Sequence, residues 1–364
     1  MLKLFEVSGF KCFDEKITLD FSDVRDYQFN TECINDGLIG KMAIYGKNAI
    51  GKTMLSQALV DVGAHIWENP HRKEDDNYYV NTNALDKYAE FRYVFKFRND
   101  EVEYIYRKEE RRKPIYEKVS INDEIIFEYN RKQTGNRNVE GLKGIAPTLN
   151  LDFENINSVL SYVVTNTPFA PGDPLRETMS FIERMLCAPV FISAPEVLAS
   201  AVFVDDGTLE GTVQEFENFL KDSGINESLD LLKDHDGKRR IYFSSPPRLF
   251  HETASRGTRA LHDLFVVYKI IEKWGTSLLV LDEFDAFYHF EVSEHIVKLF
   301  QKLKHTQVIF TTHNTNLLSN RFMRPDCLFV MTKNKLTSLP NATKRELREG
   351  HNLEKLYMGG EFSE

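Results

Sequence analysis

The chain has 364 residues, of which 42% are hydrophobic, and it carries a formal net charge of -9 at pH 7. This composition supports a sizeable core in one large domain or two closely joined ones, and it excludes a largely disordered protein. The acidic balance excludes a surface that attracts nucleic acid everywhere, although a local basic groove remains compatible with it. The four cysteines lie far apart, which fits neither a zinc cage nor a disulfide framework. No apolar run approaches the ~20 residues that span a bilayer, so we expect a soluble, cytoplasmic protein.

The N-terminal segment predicts a β-hairpin followed by a strand, a glycine-rich loop and a helix. Apolar and polar residues alternate over 2–7 and again over 16–21, which is typical of two half-buried strands. A short apolar strand at 42–45 precedes the glycines, and residues 53–65 have apolar side chains at helical spacing. This order of strand, loop and helix is the one that a phosphate-binding P-loop requires.

The middle of the chain predicts a surface excursion, a β-rich part and a helical part. Residues 66–90 are polar and rich in Asn, Asp and Tyr, which indicates weak local structure. Alternation predicts a β-hairpin over 91–97 and 102–107, and strands at 115–119 and 124–129 that extend its sheet. From about 154 to 235 the pattern becomes amphipathic and helical, with prolines marking a break near its start.

Apolar strands alternate with a helix from residue 277 onward. The strands are predicted at 278–281, 308–310 and 327–331, and the helix is predicted at 292–303. This alternation implies an α/β fold with a mostly parallel sheet covered on both faces. We expect two halves of one nucleotide-binding lobe, 1–65 and 241–364, to enclose an antiparallel β-subdomain at 66–153 and a helical insertion at 154–240.

Residues 46–53 have the pattern Gly-x4-Gly-Lys-Thr. In this pattern backbone N–H groups turn toward a nucleotide phosphate, Lys52 reaches the β- and γ-phosphates, and Thr53 ligates Mg²⁺. A simple glycine turn before a helix is the alternative interpretation, and the preceding strand argues against it. The candidate nucleotide-binding residues here are Gly46, Asn48, Ala49, Ile50, Gly51, Lys52, Thr53 and Met54.

Two carboxylates and a histidine follow predicted strands at the edge where open α/β sheets bind ligands. Asp282 and Glu283 come directly after the strand at 278–281. We expect Asp282 to hold Mg²⁺ through water and Glu283 to polarise the attacking water. His313 follows the strand at 308–310 and is expected to hydrogen-bond the γ-phosphate of ATP. Each residue taken alone would more simply be a solvated strand end or a structural histidine.

Residues 255–259, Ser-Arg-Gly-Thr-Arg, precede an apolar helical stretch at 260–274. Ser255, Gly257 and the free N–H groups of a helix start form an anion site by the same physics as the P-loop. An ordinary helix cap is the alternative interpretation. Nearby arginines that are candidates for stabilising phosphate charge are Arg248, Arg256 and Arg259.

In order and approximate spacing, these elements resemble ABC-type ATPases of the SMC, RecF and OLD group. Ser255 and Gly257 match the signature motif of that group, His313 matches its switch histidine, and Asp285 lies where its D-loop begins.

A second motif of the group also has a counterpart. Gly-Phe-Lys-Cys-Phe at 9–13 is similar to its N-F-[KR]-S-F motif, whose basic residue approaches the nucleotide phosphates, so Lys11 takes that place. Cys12 replaces the usual Ser. The Gln that completes Mg²⁺ coordination in the group is not placed, since Gln133 and Asn157 are only weak candidates. The closest resemblance is to the small bacterial ATPases of the AAA-15/AAA-21 type, which often end in a segment like 352–360.

The resemblance implies that the protein binds and hydrolyses ATP with Mg²⁺. It also implies a homodimer or higher homo-oligomer, because in this group the signature of one subunit closes on the P-loop nucleotide of another. The chain between Thr53 and Ser255 is too short for the long arms of SMC proteins and has no heptads.

Because no second catalytic centre is evident, the resemblance further implies control of a separately encoded effector, such as a nuclease, in anti-phage defence. The alternatives are a RecF-like DNA-repair ATPase and a nucleotide-gated binding module with little turnover. A GTPase and a transporter ATPase fit the motifs less well. Basic stretches at 107–113 and 238–240 leave nucleic-acid binding open, although the first is interrupted by two glutamates and is better explained as a solvated loop.

Overall fold

The computed structural model describes residues 1–67, 78–132, 137–154, 156–189, 209–333 and 335–362. Its helices in chain order are α1 (Lys52–Ile66), α2 (Glu140–Ile145), α3 (Val159–Asn166), α4 (Pro174–Glu183), α5 (Leu209–Asp222), α6 (Phe250–Thr253), α7 (Arg256–Trp274), α8 (Phe290–Gln301) and α9 (Leu353–Met358). Helix α1 corresponds to the helix predicted at 53–65, and α8 corresponds to the helix predicted at 292–303. Both predictions are confirmed.

A six-stranded sheet carries the glycine loop at the carboxyl end of one of its interior strands, β5 (Lys41–Tyr45). Its order is β11 (Met185–Pro189), β15 (Leu278–Asp282), β16 (Gln307–Thr312), β5, β17 (Leu328–Thr332) and β18 (Lys335–Ser338). All neighbours run parallel except the pair formed by β17 and β18. Every residue of β5, β15 and β16 is buried, as is typical of strands covered on both faces. The predicted mostly parallel core sheet is therefore confirmed.

The prediction of a helical part from about 154 to 235 is wrong in part, because β11 lies within it. That stretch does contain α3, α4 and α5, but residues 185–189 form a strand that pairs in parallel with β15. Residues 229–233 form a further strand there, which pairs antiparallel with residues 239–243. A short apolar run such as Met-Leu-Cys-Ala-Pro does not distinguish strand from helix by periodicity, and here the neighbouring strand completes its backbone hydrogen bonds. Because Pro189 lies opposite Asp282, β11 ends at the same sheet edge as β15.

A seven-stranded antiparallel sheet forms the second layer. Its order is β10 (Arg137–Asn138), β9 (Glu124–Asn130), β8 (Lys113–Ile121), β7 (Asp100–Glu110), β6 (Ala89–Phe97), β1 (Leu2–Ser8) and β2 (Ile17–Asp20). The hairpin of β1 and β2, the hairpin of β6 and β7, and the two added strands were all expected from the sequence. The pairing of β1 with β6 joins the N-terminal hairpin to the later strands in one sheet.

Helix α1 packs between the two large sheets. On one side it contacts β11 and β15 of the parallel sheet. On the other side, the Tyr93 hydroxyl of β6 donates to the carbonyls of Ala58 and Leu59 on α1, at 3.0 and 3.3 Å. Buried apolar side chains fill the contact from α1, namely Leu55, Ala58, Leu59 and Val62. The helix that follows the glycine loop is therefore held by both sheets.

Two small antiparallel sheets complete the strands. One contains β12 (Leu229–Lys233), β13 (Arg239–Ser244) and β14 (Pro247–Leu249), and the other pairs β3 (Ile34–Asn35) with β4 (Leu38–Ile39). The three-stranded sheet directly precedes α6 and α7. Across the ranges described above, none of the helices combines the length and the apolar character needed to cross a membrane.

Candidate nucleotide-binding site

The glycine loop connects the end of β5 to the start of α1. At both of its glycines the surrounding atoms leave little room for a side chain. A Cβ atom added at Gly46 would lie 2.8 Å from Cγ2 of Ile50 and 3.2 Å from the carbonyl oxygen of Met331. Gly51 has φ +113°, and its added Cβ would lie 3.0 Å from Sγ of Cys12. Glycine therefore lets the loop backbone turn tightly, as a phosphate-binding loop must.

Lys52, the first residue of α1, points back into the loop. Its side chain is 2% exposed, and Nζ lies 4.0 Å from Oε1 of Glu283. Nζ donates to the carbonyls of Gly46 and Lys47 at 2.9 and 3.1 Å. Burial lowers the pKa of Lys52, and the carboxylates of Glu283 and Asp282 partly oppose that shift. The ammonium group is thus held above the loop next to one of the two candidate carboxylates.

Asp282 is tied to elements on both of its sides. Oδ1 accepts a hydrogen bond from the Thr311 hydroxyl at 2.7 Å and from the Ser56 hydroxyl at 3.0 Å. Ser56 also donates to the carbonyl of Lys52 at 3.2 Å. The strand β16, which carries Thr311, lies between the glycine-loop strand and the strand of Asp282. Neither Ser56 nor Thr311 was predicted from the sequence as a site residue, because only the fold brings their hydroxyl groups to Asp282.

Glu283 leaves the strand with a strained backbone. Its φ is +48°, a left-handed conformation that costs a non-glycine residue about 1–3 kcal/mol. Its N–H donates to the Thr311 hydroxyl at 2.8 Å, which helps to hold this conformation. The Glu283 side chain is 44% exposed and faces Lys52. The carboxylate is therefore aimed at the loop while remaining open to water.

His313 is exposed and follows β16 directly. The residue before it, Thr312, is held by hydrogen bonds. The Thr312 hydroxyl donates to Oδ2 of Asp285 at 2.6 Å and accepts the N–H of Asn314 at 2.9 Å. Burial raises the pKa of Asp285, and the Thr312 hydrogen bond opposes that shift. The segments of Asp285 and His313 are therefore joined through the Thr312 side chain.

The turn at 9–13 packs against the glycine loop. Cys12 approaches Gly51, and the Lys11 Nζ atom donates to Oε1 of Gln57 on α1 at 2.5 Å. Lys11 itself has φ +48°. The exposed amine of Lys11 thus lies beside the first two turns of α1, close to the residues proposed to hold a nucleotide.

Ser255 and Gly257 begin α7. The Ser255 hydroxyl accepts the N–H of Thr258 at 3.1 Å, so the helix cap that was the alternative interpretation is present. A Cβ atom added at Gly257 would lie 2.9 Å from the carbonyl of Phe287, which places the start of α7 against the segment after Glu283. Ser255 and Arg256 are exposed. A capped helix start with exposed residues remains compatible with an anion site.

The sequence offered further candidates for Mg²⁺ and nucleic-acid binding. Gln133 lies outside the described residues. The Asn157 carbonyl accepts a hydrogen bond from Arg131 at 2.7 Å. Within the basic stretch 107–113, Arg107 pairs with Glu90 and Lys108 is buried against Asp61. The stretch is therefore largely neutralised within the antiparallel sheet.

The donor atoms at this edge suit Mg²⁺ better than a transition metal. The Thr53 hydroxyl stands in the first turn of α1, and Asp282 ends β15. Among the described residues there is no group of three or more His, Cys, Asp or Glu side chains that could hold a metal ion. A few hard oxygen donors, completed by phosphate oxygens and water, are the usual environment of Mg²⁺ with nucleotides.

Residues 195–319 match the family model described as "AAA domain, putative AbiEii toxin, Type IV TA system". Comparison with curated proteins gave no match.

Solved structures are similar over most of the chain. The SMC head bound to the C-winged helix domain of ScpA has TM-score 0.51 and 16% identity, covering 93% of this chain and 97% of that chain. The SMC head domain from Thermotoga maritima has TM-score 0.46 and 15% identity, covering 93% and 98%. The Smc head with an extended coiled coil, bound to the C-terminal domain of ScpA derived from Pyrococcus furiosus, has TM-score 0.48 and 15% identity, covering 93% and 96%.

At such identity the first of these structures shows a shared fold alone. Residues 195–319 thus resemble the AAA-21 family, and the chain shares its fold with an SMC head.

Proposed function

We propose that the protein binds ATP with Mg²⁺ at the loop 46–53 and hydrolyses it in a dimer that closes around the nucleotide. The observation that carries the proposal is the approach of Lys52 to Glu283, 4.0 Å apart, across a loop whose glycines leave no room for side chains. A buried cation beside a half-exposed carboxylate is the arrangement needed to hold a phosphate and activate water at one place.

Each residue has a separate role in the proposed reaction. Lys52 exchanges its hydrogen bonds to the loop carbonyls for bonds to the β- and γ-phosphates. Thr53 and Asp282 would hold Mg²⁺, which supplies charge neutralisation at the phosphates when bound. Glu283 polarises the attacking water, and His313 donates to the γ-phosphate.

The dimer is proposed from the start of α7. Ser255, Arg256 and Gly257 offer an exposed helix N-terminus at the end of a 19-residue helix, which favours negative charge. The bonds of the Ser255 hydroxyl go to its own helix. We therefore assign this end to the γ-phosphate held by a second copy of the chain.

The biological role that we propose is control of a separate effector, such as a nuclease, in anti-phage defence. The family description of a putative toxin in a toxin–antitoxin system supports this role. One matched SMC head carries a domain of another protein, which supports the use of this fold to hold a protein partner.

Phosphate release from ATP, measured with and without Mg²⁺, tests the enzyme activity. Glu283→Gln should keep ATP affinity and lose about 100-fold or more of turnover, as expected for loss of a general base. Light scattering of Glu283→Gln with ATP should show a dimer, and Ser255→Arg in that background should return it to a monomer. A wild-type protein without ATP binding or hydrolysis, or unchanged turnover in Glu283→Gln, would refute the proposal.

A RecF-like DNA-binding ATPase is the second candidate, and one surface favours it. At the tip of the β12–β13 hairpin Lys233 lies directly opposite Arg239. Arg240 pairs with Asp234 and Asp236, whereas Lys233, Lys238 and Arg239 form no ion pair with the described residues. DNA-stimulated ATPase activity that falls steeply with salt and is lost in Lys238→Glu/Arg239→Glu would favour this candidate.

A further inference from the structure

We propose that Tyr79 is a positioning residue that fixes Lys11 against the P-loop helix α1. It does so by joining α1 at one end and the Lys11-bearing turn at the other. The inference rests on the proposed function and on the place beside the nucleotide phosphates that the resemblance implies for Lys11. It adds a residue outside every motif considered above.

Tyr79 makes two kinds of contact from a buried position, where it is 5% exposed. Its hydroxyl donates to Oδ1 of Asp61 on α1 at 2.9 Å. Its backbone carbonyl accepts the N–H of Lys11 at 3.0 Å. Its ring packs edge-on against Phe10, with 5.1 Å between the ring centroids. One residue therefore connects the helix to the turn through its side chain and its backbone.

The anchor on α1 is itself rigidly held. Asp61 is 7% exposed, and its Oδ2 accepts from the Tyr106 hydroxyl at 2.9 Å and from Nζ of Lys108 at 2.6 Å. With Tyr79, three donors surround one buried carboxylate, and a buried charge with several hydrogen bonds has little freedom to reorient. The position of Tyr79 is thus set by the helix that carries Lys52.

The Lys11 turn is fixed on its remaining sides as well. The Asn81 side chain donates to the Lys11 carbonyl at 2.7 Å, and Nζ of Lys11 donates to Gln57, one helical turn before Asp61. Lys11 has φ +48°, a conformation that persists only when its surroundings hold it. Gln57 and Asp61 on one face of α1 therefore hold both the tip and the backbone of Lys11.

Tyr79→Phe tests this role, because it removes only the hydroxyl. Tyr106→Phe is the matched control, since it removes one donor from the same carboxylate, and among the described residues the Tyr106 side chain forms no hydrogen bond with the Lys11 turn. We expect Tyr79→Phe to weaken binding of a fluorescent ATP analogue about three- to tenfold, the size of one net hydrogen bond. Tyr106→Phe should leave that affinity within about twofold while costing similar stability.

A double-mutant cycle shows whether Tyr79 acts through Lys11. Lys11→Ala should weaken binding by about tenfold or more. Adding Tyr79→Phe to Lys11→Ala should cause no further loss. If the two losses multiply, or if Tyr106→Phe matches Tyr79→Phe, the inference is overturned.

Amide hydrogen exchange without nucleotide separates this inference from the proposed function. In Tyr79→Phe the amide of Lys11 should exchange faster than in the wild type, and in Tyr106→Phe it should not. A wild-type protein that fails to bind ATP would refute the proposed function, whereas unchanged exchange at Lys11 in Tyr79→Phe would refute the positioning role.

Discussion

Thr311 donates a hydrogen bond to Asp282 across two neighbouring parallel strands, with 2.7 Å between Oγ1 and Oδ1. The same hydroxyl accepts the N–H of Glu283 at 2.8 Å. One side chain thus orients the candidate Mg²⁺ ligand and supports the left-handed backbone of the candidate base. The threonine acts on two consecutive residues that were assigned different chemical roles.

Thr311→Val should therefore impair turnover more than nucleotide binding. Loss of the hydroxyl frees the Glu283 backbone and removes one of two donors to Asp282, so we expect kcat to fall at least about tenfold. ATP affinity should change by less than about threefold, because Lys52 and the loop are untouched. Thr306→Val is the control, since the buried Thr306 hydroxyl donates to the Thr276 carbonyl just before the other end of the strand. Equal kcat in the two variants would contradict the prediction.

Ser56→Ala should raise the Mg²⁺ concentration needed for half-maximal activity. The variant removes the donor on α1 that orients Asp282, and this kind of supporting bond typically changes metal affinity by about 10- to 100-fold. A titration of ATPase activity with Mg²⁺ measures the effect. Ser293→Ala, which removes a buried hydroxyl that donates to His289 at the start of α8, should leave the titration unchanged.

Gly51→Ala should impair the protein, whereas Gly63→Ala, only 12 residues further along the chain, should stabilise it. Gly51 has φ +113° and little space near Cys12, so its substitution strains the loop by about 1–3 kcal/mol or more and should abolish ATP binding. Gly63 lies inside α1 with no atom within 4 Å of an added Cβ, so alanine there should stabilise the protein by about 0.5–1 kcal/mol. Urea denaturation and ATP titration of both variants decide the comparison.

Glu117→Gln should destabilise the protein without altering ATP affinity. Glu117 is fully buried and accepts from the N–H groups of Val159 and Leu160, so it caps α3 from a strand of the antiparallel sheet. Replacing the carboxylate leaves buried donors unsatisfied and should cost about 2–4 kcal/mol in urea denaturation. Glu128→Gln, which loses one half-buried bond from Tyr116, should cost less than about 1 kcal/mol.

Lys41 should make stability depend on pH in the alkaline range. Burial lowers the pKa of Lys41 from 10.5 to about 8, although Nζ donates to the carbonyls of Leu303 and Thr306. The unfolded chain therefore binds the proton more tightly, so the free energy of unfolding should rise as pH increases from about 8 toward 10.5. Lys41→Met should lack this contribution. Identical pH profiles of the wild type and Lys41→Met would contradict the assignment.

The sequence was most informative where a structural element is local. The loop 46–53 with its flanking strand and helix, and the paired hairpins of the antiparallel sheet, depend on short-range patterns of glycine and alternation. The roles of Ser56, Thr311 and Tyr79 depend instead on which helices, strands and turns become neighbours in the fold, and periodicity carries no information on those contacts. Residues 185–189 were expected to be helical because their apolar run lacks a period that distinguishes the two structures.

The position of β5 has a consequence for the order in which the protein folds. Its two neighbours, β16 and β17, come from residues 307–332, whereas β1, β2 and β6 to β9 all lie within the first 130 residues. During synthesis the strands of the antiparallel sheet can pair early. The strand β5, which leads into the glycine loop, can pair only after β16 and β17 have been synthesised. Such distant pairing is slow to form. A ribosome-bound chain that stops before residue 307 should therefore carry a paired antiparallel sheet, whereas β5 still lacks both of its neighbours.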